Sequence, residues 1–415
     1  MNTIQNMFTI RQIFPDKSIS SVEETTYQAL EEANLKAALN PGERVAITAG
    51  SRGISNIGKI IKTVVKFIAD CGCHPSVIAS MGSHGGGTVA GQMEILNGIG
   101  ITPEYIGAPV LASDVSRPLP EENGKVFYVN SLAFQFDRII VVNRIKPHTS
   151  FHGPVESGLL KMLAIGLGGP EGASRIHGLG INALPALIPE AAAVVMKHIP
   201  VTLGLAILED SHDNTMKILA VHPENMAETE EKLLEEARRH LPGLPFDNID
   251  ILVVDEIGKV FSGTGMDTNV IGRLKIQGLP EPVKPNIKRI VVLDLARGTK
   301  GNAYGIGLAD FTTKKLVDGI NIEAMYLNAM TSNFVQRAMI PMTLPDDLSA
   351  VQAAVKSLGS IGIDKVRMVR IKNTLNLEYM MVSGPLLPEA AANPSVTIIK
   401  ETPMAFDVNN NILPF

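Results

Sequence analysis

The chain has 415 residues, of which 45% are hydrophobic and 19% are charged, so it is long enough for two or three globular domains. Its net charge of -5 and its lack of any long basic run argue against a nucleic-acid partner and against attraction to a membrane surface. Two cysteines cannot form a disulfide framework, and neither a secretory signal nor a spanning segment is visible, so we expect a cytoplasmic protein.

From residue 44 onwards, short runs rich in valine and isoleucine alternate with helix-like segments. This rhythm is typical of α/β folds with parallel sheets, because strands that are covered on both faces are apolar throughout. The expected strands are 44–50, 75–82, 138–145 and 202–210, and the expected helices are 56–72, 88–100 and 227–240.

The segment "LPGLPFDNID" (241–250) interrupts this rhythm with two prolines and a glycine, which marks the expected domain boundary. The rhythm then restarts, with expected strands in "IDILVVDEIG", 289–296 and 366–373 and an expected helix at 348–362. We expect an α/β protein of two domains, residues 1–245 and 246–393. We expect each domain to be a mainly parallel sheet with flanking helices, and we expect a cleft between the two domains. The tail, residues 394–415, is expected to pack back on the first domain.

Two loops that follow expected strands carry unusual residues. In "TAGSRGIS", Arg52 directly follows a strand and can bind a carboxylate or phosphate, although a solvated surface arginine is an equally good interpretation. In "MGSHGGGT", His84 lies among glycines, including Gly85 and Gly86, that let a ligand approach the backbone. A lone histidine in a turn is more often structural, but the flanking glycines favour a functional residue, and histidine suits acid–base chemistry. Neither the phosphate-loop nor the dinucleotide-binding pattern occurs there.

The stretch "IKPHTSFHGPVESGLLKMLAIGLGGPEGASRIHGLG" (145–180) holds His148, His152, Lys161 and His177. Apolar neighbours would desolvate the amine of Lys161 and make it nucleophilic, whereas a lysine on a half-buried helix is the structural alternative. The intervals do not match a local zinc site. His148 is expected to project from a strand end, and the role of His152 stays open.

Three further segments need an interpretation. "CGCHP" (71–75) resembles a metal site at first sight, but it lies at a helix-to-strand turn and is better explained as structure. "SGTGMDTNVIGRLK" (262–275) and "RGTKGNAYGIGLADFTTKK" (297–315) are glycine-rich loops at strand ends that carry Arg273, Lys275 and Lys300. We expect these loops to close the cleft over the histidines.

Taken in chain order, the Arg52 loop, the "GSHGGG" loop, the "PHTSFHG…SGLLK" segment and the histidine after it resemble the nickel-dependent lactate racemase superfamily. These motifs span most of the first domain. The resemblance implies a racemase or epimerase of a small 2-hydroxy acid with a nickel-pincer nucleotide as its cofactor. It also implies a need for the enzymes that make this cofactor.

The resemblance assigns a role to each residue. Lys161 would carry the cofactor covalently, with Gly85 and Gly86 beside it, and His177 would be the nickel ligand. His84 and His148 would be the two acid–base residues, on opposite faces of the substrate, while hydride leaves Cα for the cofactor. The substrate would be held by three cationic residues, which are Arg52, Lys275 and Arg273.

The sequence also departs from the family's pattern. It has no tryptophan to line a pocket, and Gly272 stands where a glutamine is expected. These differences favour a sugar acid or a dicarboxylate over lactate itself. Two alternatives stay open, a metal-free lyase or isomerase that uses His84 and His148, and a non-catalytic nucleotide or anion binder. The oligomeric state stays open too.

Overall fold

The computed structural model describes residues 6–51, 53–122 and 124–415, and the chain forms two compact units. Pro15–Leu241 is one unit, which we call the histidine unit. The residues up to Phe14 and Pro242–Phe415 together form the other, which we call the split unit. The division before Pro242 lies close to the expected boundary. The expected first domain, residues 1–245, is corrected at its start, because the first strand of the chain belongs to the split unit.

The described strands are named in chain order: β1 Met7–Gln12, β2 Arg44–Ala49, β3 His74–Ala79, β4 Val110–Leu111, β5 Ser116–Pro118, β6 Tyr128–Asn130, β7 Arg138–Arg144, β8 Val201–Glu209, β9 Thr215–Val221, β10 Asn248–Ile257, β11 Asn286–Leu295, β12 Phe311–Thr313, β13 Met342–Leu344, β14 Met368–Ile371, β15 Tyr379–Ser383 and β16 Val396–Glu401.

The described α-helices are α1 Val22–Glu32, α2 Leu35–Ala38, α3 Ile57–Asp70, α4 Val89–Gly98, α5 Pro103–Ile106, α6 Leu159–Lys161, α7 Gly169–Gly178, α8 Leu184–His198, α9 Met226–His240, α10 Thr268–Ile271, α11 Lys314–Asp318, α12 Ile322–Ser332, α13 Asp347–Lys356 and α14 Leu387–Ala392. Within the described residues, no single helix is long and apolar enough to cross a membrane. One bent pair, α7 with residues 181–198, meets the requirement by length and composition only.

The histidine unit is built on a sheet of order β4-β3-β2-β7-β8-β9, in which only the β8–β9 pairing is antiparallel. Alternate residues of β7 enter different cores, with Ile139 and Val141 on one face and Ile140 and Val142 on the other. Since both faces are covered, the strands are apolar throughout, as the sequence predicted.

The split unit has a sheet of order β13-β12-β11-β10-β14-β15-β1-β16. It is parallel from β13 to β14 and antiparallel from β14 to β16. The predicted α/β class is therefore confirmed, although this second sheet is mixed. The expected return of the tail to the first domain is corrected as well, because β16 pairs with β1 inside the split unit.

Candidate functional site

The strand order of the histidine unit reverses between β2 and β7. Strands β3 and β4 extend the sheet on one side of β2, and β8 and β9 extend it beyond β7. Ligands of open α/β sheets bind at the carboxyl ends of the strands beside such a reversal. His84 follows β3 and His148 follows β7, so both predicted acid–base residues lie at this edge of the sheet. Arg52, predicted to bind substrate, lies outside the described residues.

The His84 loop is fixed by bonds to its neighbours. Nδ1 of His84 lies 2.8 Å from the carbonyl oxygen of Met81. A carbonyl only accepts hydrogen bonds, so Nδ1 must carry a proton, and Nε2 of the neutral ring is then the proton acceptor. The N–H of Gly82 donates to the carbonyl of Gly166 at 3.0 Å, which ties this loop to the segment after Lys161.

Gly85 and Gly86, predicted to line the cofactor, follow His84 with positive φ angles of 67° and 66°. A Cβ on Gly85 would lie 2.4 Å from the backbone carbon of Gly91, whereas a Cβ on Gly86 would meet nothing within 4 Å. Gly85 is therefore needed for the packing of the loop on α4. The predicted contact of both glycines with a cofactor stays a prediction.

The His148 loop spans residues 147–156 and is closed by paired backbone hydrogen bonds between Lys146 and Ser157. Within it, the backbone N–H of Ser150 donates to Nδ1 of His148 at 3.1 Å. That bond needs the lone pair of Nδ1, so the proton of the neutral ring resides on Nε2. His84 and His148 are thus held in opposite tautomers, one with an acceptor at Nε2 and one with a donor.

Phe151 links His148 to Lys161. It is 2% exposed, its ring centroid lies 4.4 Å from that of His148, and the Nζ atom of Lys161 lies 5.5 Å from the same centroid. The ring offers its face to the lysine cation, a favourable arrangement that also limits where the half-buried amine can move.

Lys161 is the last residue of the short helix α6, which continues directly into a π-helical turn, Met162–Gly166. The N–H of Leu167 donates to the carbonyl of Met162 at 2.8 Å, the wide i to i+5 spacing of a π-turn. The extra residue in the π-turn interrupts the helical period of this segment. Such turns are frequent at functional sites.

His177 lies in the last turn of α7 and is exposed on the surface. Partial desolvation by the surrounding protein lowers the pKa of His177, and the positive charge of Lys161 and the protonated form of His84 lower it further. A ring in a concave surface can be reached by water and still lose part of its hydration. Lys161, His84 and His177 therefore share one electrostatic environment, and the ring of His177 is neutral at pH 7.

Sequence reasoning missed Glu230, which lies on α9 and is 1% exposed. Its Oε2 accepts a hydrogen bond from the N–H of Leu160 at 2.9 Å, so it caps the helix that ends in Lys161. Burial raises the pKa of Glu230 to about 7. A Cβ on Gly158 would lie 2.2 Å from Oε1 of Glu230, so only glycine at that position allows the approach. An isolated glutamate in a charged helix gives no sequence signal of this role.

The two predicted substrate residues of the split unit are engaged within that unit. The Arg273 guanidinium donates to the carboxylate of Asp310 at 2.7 Å. It also donates to the backbone carbonyls of Leu308, Ile287 and Lys288 at 2.9, 3.0 and 3.4 Å. The amine of Lys275 donates to two carbonyls at 2.7 and 3.1 Å, and burial lowers its pKa. A substrate contact of either residue stays a prediction, and for Arg273 these bonds support a structural role instead.

Cys71 and Cys73, which suggested a metal site at first sight, are free thiols at the turn before β3. The thiol of Cys73 donates to the carbonyl of Asn40 at 3.1 Å. Among the residues that the structure describes, no group of three or more histidine, cysteine, aspartate or glutamate side chains is arranged to hold a metal ion.

No protein-family model matches the sequence, and no curated protein matches it at a significant level. Among solved structures, the chain is similar to the lactate racemase apoprotein from Thermoanaerobacterium thermosaccharolyticum. The identity is 14%, the TM-score is 0.45, and the alignment covers 94% of this chain and 97% of that one. O-ureido-L-serine synthase aligns with 10% identity and a TM-score of 0.16, over 90% of this chain and 89% of the other. At these TM-scores neither likeness carries an argument about function, so the site is interpreted from its own geometry.

Proposed function

We propose that the protein is a racemase or epimerase of a small 2-hydroxy acid, with its acid–base residues and its cofactor anchor in the histidine unit. The observation that carries the proposal is that Phe151 lies between His148 and Lys161, at a sheet edge suited to ligands. The lowered pKa of His177, to which Lys161 and His84 contribute, supports it. The ordered motifs that resemble the lactate racemase superfamily point to the same chemistry.

The residues fit a nickel-pincer nucleotide. The amine of Lys161 is half-buried and held beside an aromatic face, which suits a covalent anchor. The lowered pKa of His177 keeps its ring neutral, as a ligand of nickel must be, and imidazole suits that metal. When bound, the cofactor would supply an acceptor for the hydride on Cα of the substrate.

The chain's own residues would handle the proton and the carboxylate. In the tautomer that its bond to Met81 fixes, His84 accepts the hydroxyl proton of the substrate at Nε2. His148 donates a hydrogen bond from Nε2 to a substrate oxygen, in the tautomer that the N–H of Ser150 holds. The substrate carboxylate would be bound by Arg52, with Lys275 as the expected contribution of the split unit.

One alternative is favoured by a specific observation. His84 can act as a base, and His148 offers a neutral N–H donor. Together they can remove a proton and polarise an oxygen, which is sufficient for a metal-free lyase or isomerase. Activity in protein that never met the cofactor would establish this alternative. A plain nucleotide or anion binder would instead keep its ligand affinity in the His84→Ala variant.

The test is peptide mass spectrometry and nickel analysis of protein produced together with the enzymes that make the pincer cofactor. We expect a mass adduct on the peptide with Lys161 and about one nickel per chain, as a single histidine ligand implies. Lys161→Met should abolish both, and Lys146→Met, a control lysine at the His148 loop, should keep both. No adduct and no nickel, in cells that load a known racemase, would refute the cofactor assignment.

A further inference from the structure

Glu156 is a buried carboxylate at the centre of the His148 loop. Its side chain is 0% exposed, and its Oε2 accepts the backbone N–H of His148 at 2.5 Å. Its Oε1 accepts from three groups, the N–H of Gly153 at 3.2 Å, Nη2 of Arg238 at 2.6 Å and Nδ1 of His152 at 3.3 Å. One carboxylate therefore joins the start of the loop, its middle and the helix α9 behind it.

The charge of Glu156 suits these partners. Burial alone would raise the pKa of this carboxyl, but the hydrogen bonds from His152, from the His148 N–H and from Arg238 outweigh it, so the pKa is lowered. An ionised carboxylate only accepts hydrogen bonds, and it faces donors on every side. Arg238 also donates to the carbonyl of Gly153 at 3.0 Å, which anchors the loop to α9 a second time.

We propose that Glu156 is a positioning residue for His148, which fixes the loop so that the N–H of Ser150 stays bonded to Nδ1 of the catalytic ring. The two ends of this arrangement are the Glu156–His148 backbone bond and the Ser150–His148 ring bond. If the bond from the His148 N–H to Glu156 is lost, the backbone at His148 can rotate. The N–H of Ser150 then no longer points to Nδ1 of the His148 ring. The proposal rests on the function proposed for His148 and adds a residue to it.

The same arrangement assigns a place to His152, whose role the sequence left open. Its Nδ1 faces Oε1 of Glu156, so the ring points to the carboxylate that supports the loop. His152 is therefore a peripheral partner of Glu156, and we do not assign it as a third acid–base residue. Its ring is 42% exposed, and its bond is the longest of the four, so its removal should leave the loop in place.

The Glu156→Gln variant distinguishes the bond that Oε2 of Glu156 accepts from the bonds that Oε1 accepts. The amide oxygen can take the place of Oε1 and keep three donors, and the amide N–H2 then faces the N–H of His148, where no bond can form. The substitution therefore removes the contact to His148 with little change in volume. Glu43→Gln is the matched control, because Glu43 also pairs with an arginine, Arg138, but at the opposite end of the sheet.

The first measurement is hydrogen–deuterium exchange of the cofactor-free protein, followed over the peptide that spans residues 147–157. We expect exchange on the order of tenfold faster in Glu156→Gln, the equivalent of one lost hydrogen bond to a charged group, and no local change in Glu43→Gln or His152→Ala. Arg238→Met should accelerate the same peptide, which keeps the test valid if Glu156→Gln does not fold. Unchanged exchange in both variants would overturn the proposal.

The second measurement is turnover of a 2-hydroxy acid by the loaded enzyme. We expect kcat of Glu156→Gln to fall by about ten- to a hundredfold, as for other partners that orient an active residue, with KM within about twofold. His152→Ala should keep kcat. A large fall in His152→Ala would overturn the role given to His152. If Glu156→Gln exchanges faster but no loaded protein, the wild type included, turns over a 2-hydroxy acid, the proposed function is refuted. The positioning role of Glu156 would remain supported.

Discussion

The carboxylate of Glu230 accepts the backbone N–H of Leu160 at 2.9 Å, one residue before Lys161. This carboxyl is buried, and its pKa is raised from 4.5 to about 7. Between these two values the folded state keeps a proton that the unfolded state has lost. The free energy of unfolding must therefore fall as the pH rises through this window, and it levels off above pH 7.

The matched variant is Glu230→Gln, which has no proton to lose at this position. Between pH 5 and pH 8, urea denaturation should show the wild-type protein losing about 2 to 3 kcal/mol of stability relative to this variant. The measurement is the difference in unfolding free energy at the two pH values. An equal pH dependence of both proteins would mean that Glu230 is ionised throughout.

The tautomers of His84 and His148 give a second prediction. The bond from His84 to a carbonyl requires a proton on Nδ1, and the bond from Ser150 to His148 requires a proton on Nε2. Carbon and nitrogen chemical shifts of the rings, assigned with His84→Gln and His148→Gln, should show one neutral ring of each kind. The same tautomer in both rings would contradict the asymmetric roles proposed for them.

Turnover gives a third prediction. His84→Gln and His148→Gln should each lower kcat of the loaded enzyme by about a hundredfold or more, as expected for loss of a general acid or base. Nickel content and the adduct on Lys161 should be kept, because neither ring is assigned to the cofactor. His74→Gln is the control, at the opposite end of the strand that leads to His84, and it should retain full activity.

The glycines after His84 give a matched pair for stability. Both have a positive φ, so Gly86→Ala should cost about 1 kcal/mol through backbone strain alone. Gly85→Ala adds a Cβ at 2.4 Å from the backbone of α4, and it should cost several times more. Chemical denaturation of both variants measures the difference. Equal losses would mean that the loop can move away from the helix.

Arg273 provides the last prediction. Its partly buried guanidinium bonds Asp310 and backbone carbonyls, so Arg273→Gln should lower stability by about 3 kcal/mol. Asp310 would then keep only the N–H of Ile290 at 2.8 Å and the amine of Lys275 at 3.9 Å. Arg289→Gln is the control, since this arginine is also a partly buried residue, on β11, but bonds a serine side chain and carbonyls. If Arg273→Gln instead folds stably and raises KM, the substrate contact is the correct interpretation.

The strands around the site could be predicted from the sequence because their apolar runs are unmistakable. The runs at 44–50 and 138–145 match β2 and β7 almost to the residue, and each leads to a loop that carries a predicted site residue. The helix with Lys161 could not be predicted in the same way. Its π-turn shifts the apolar positions out of the period that marks an ordinary helix.

Long-range partners were beyond sequence reasoning for a different reason. Glu156 and Glu230 are single carboxylates whose burial depends on segments far away in the chain, Arg238 for one and the start of α6 for the other. Nothing in their local sequence distinguishes them from solvated glutamates. The placement of β1 was missed too, because the residues of a strand do not determine which strands it pairs with in a mixed sheet.

The position of β1 has a consequence for the order in which the protein matures on the ribosome. This strand is synthesised before the histidine unit, and both neighbours that it pairs with, β15 and β16, are synthesised after that unit. The histidine unit is synthesised in between as one uninterrupted stretch, so it can fold while β1 waits. Until β15 and β16 have been synthesised, β1 lacks both partners, so the sheet of the split unit can be completed only after the histidine unit has been made.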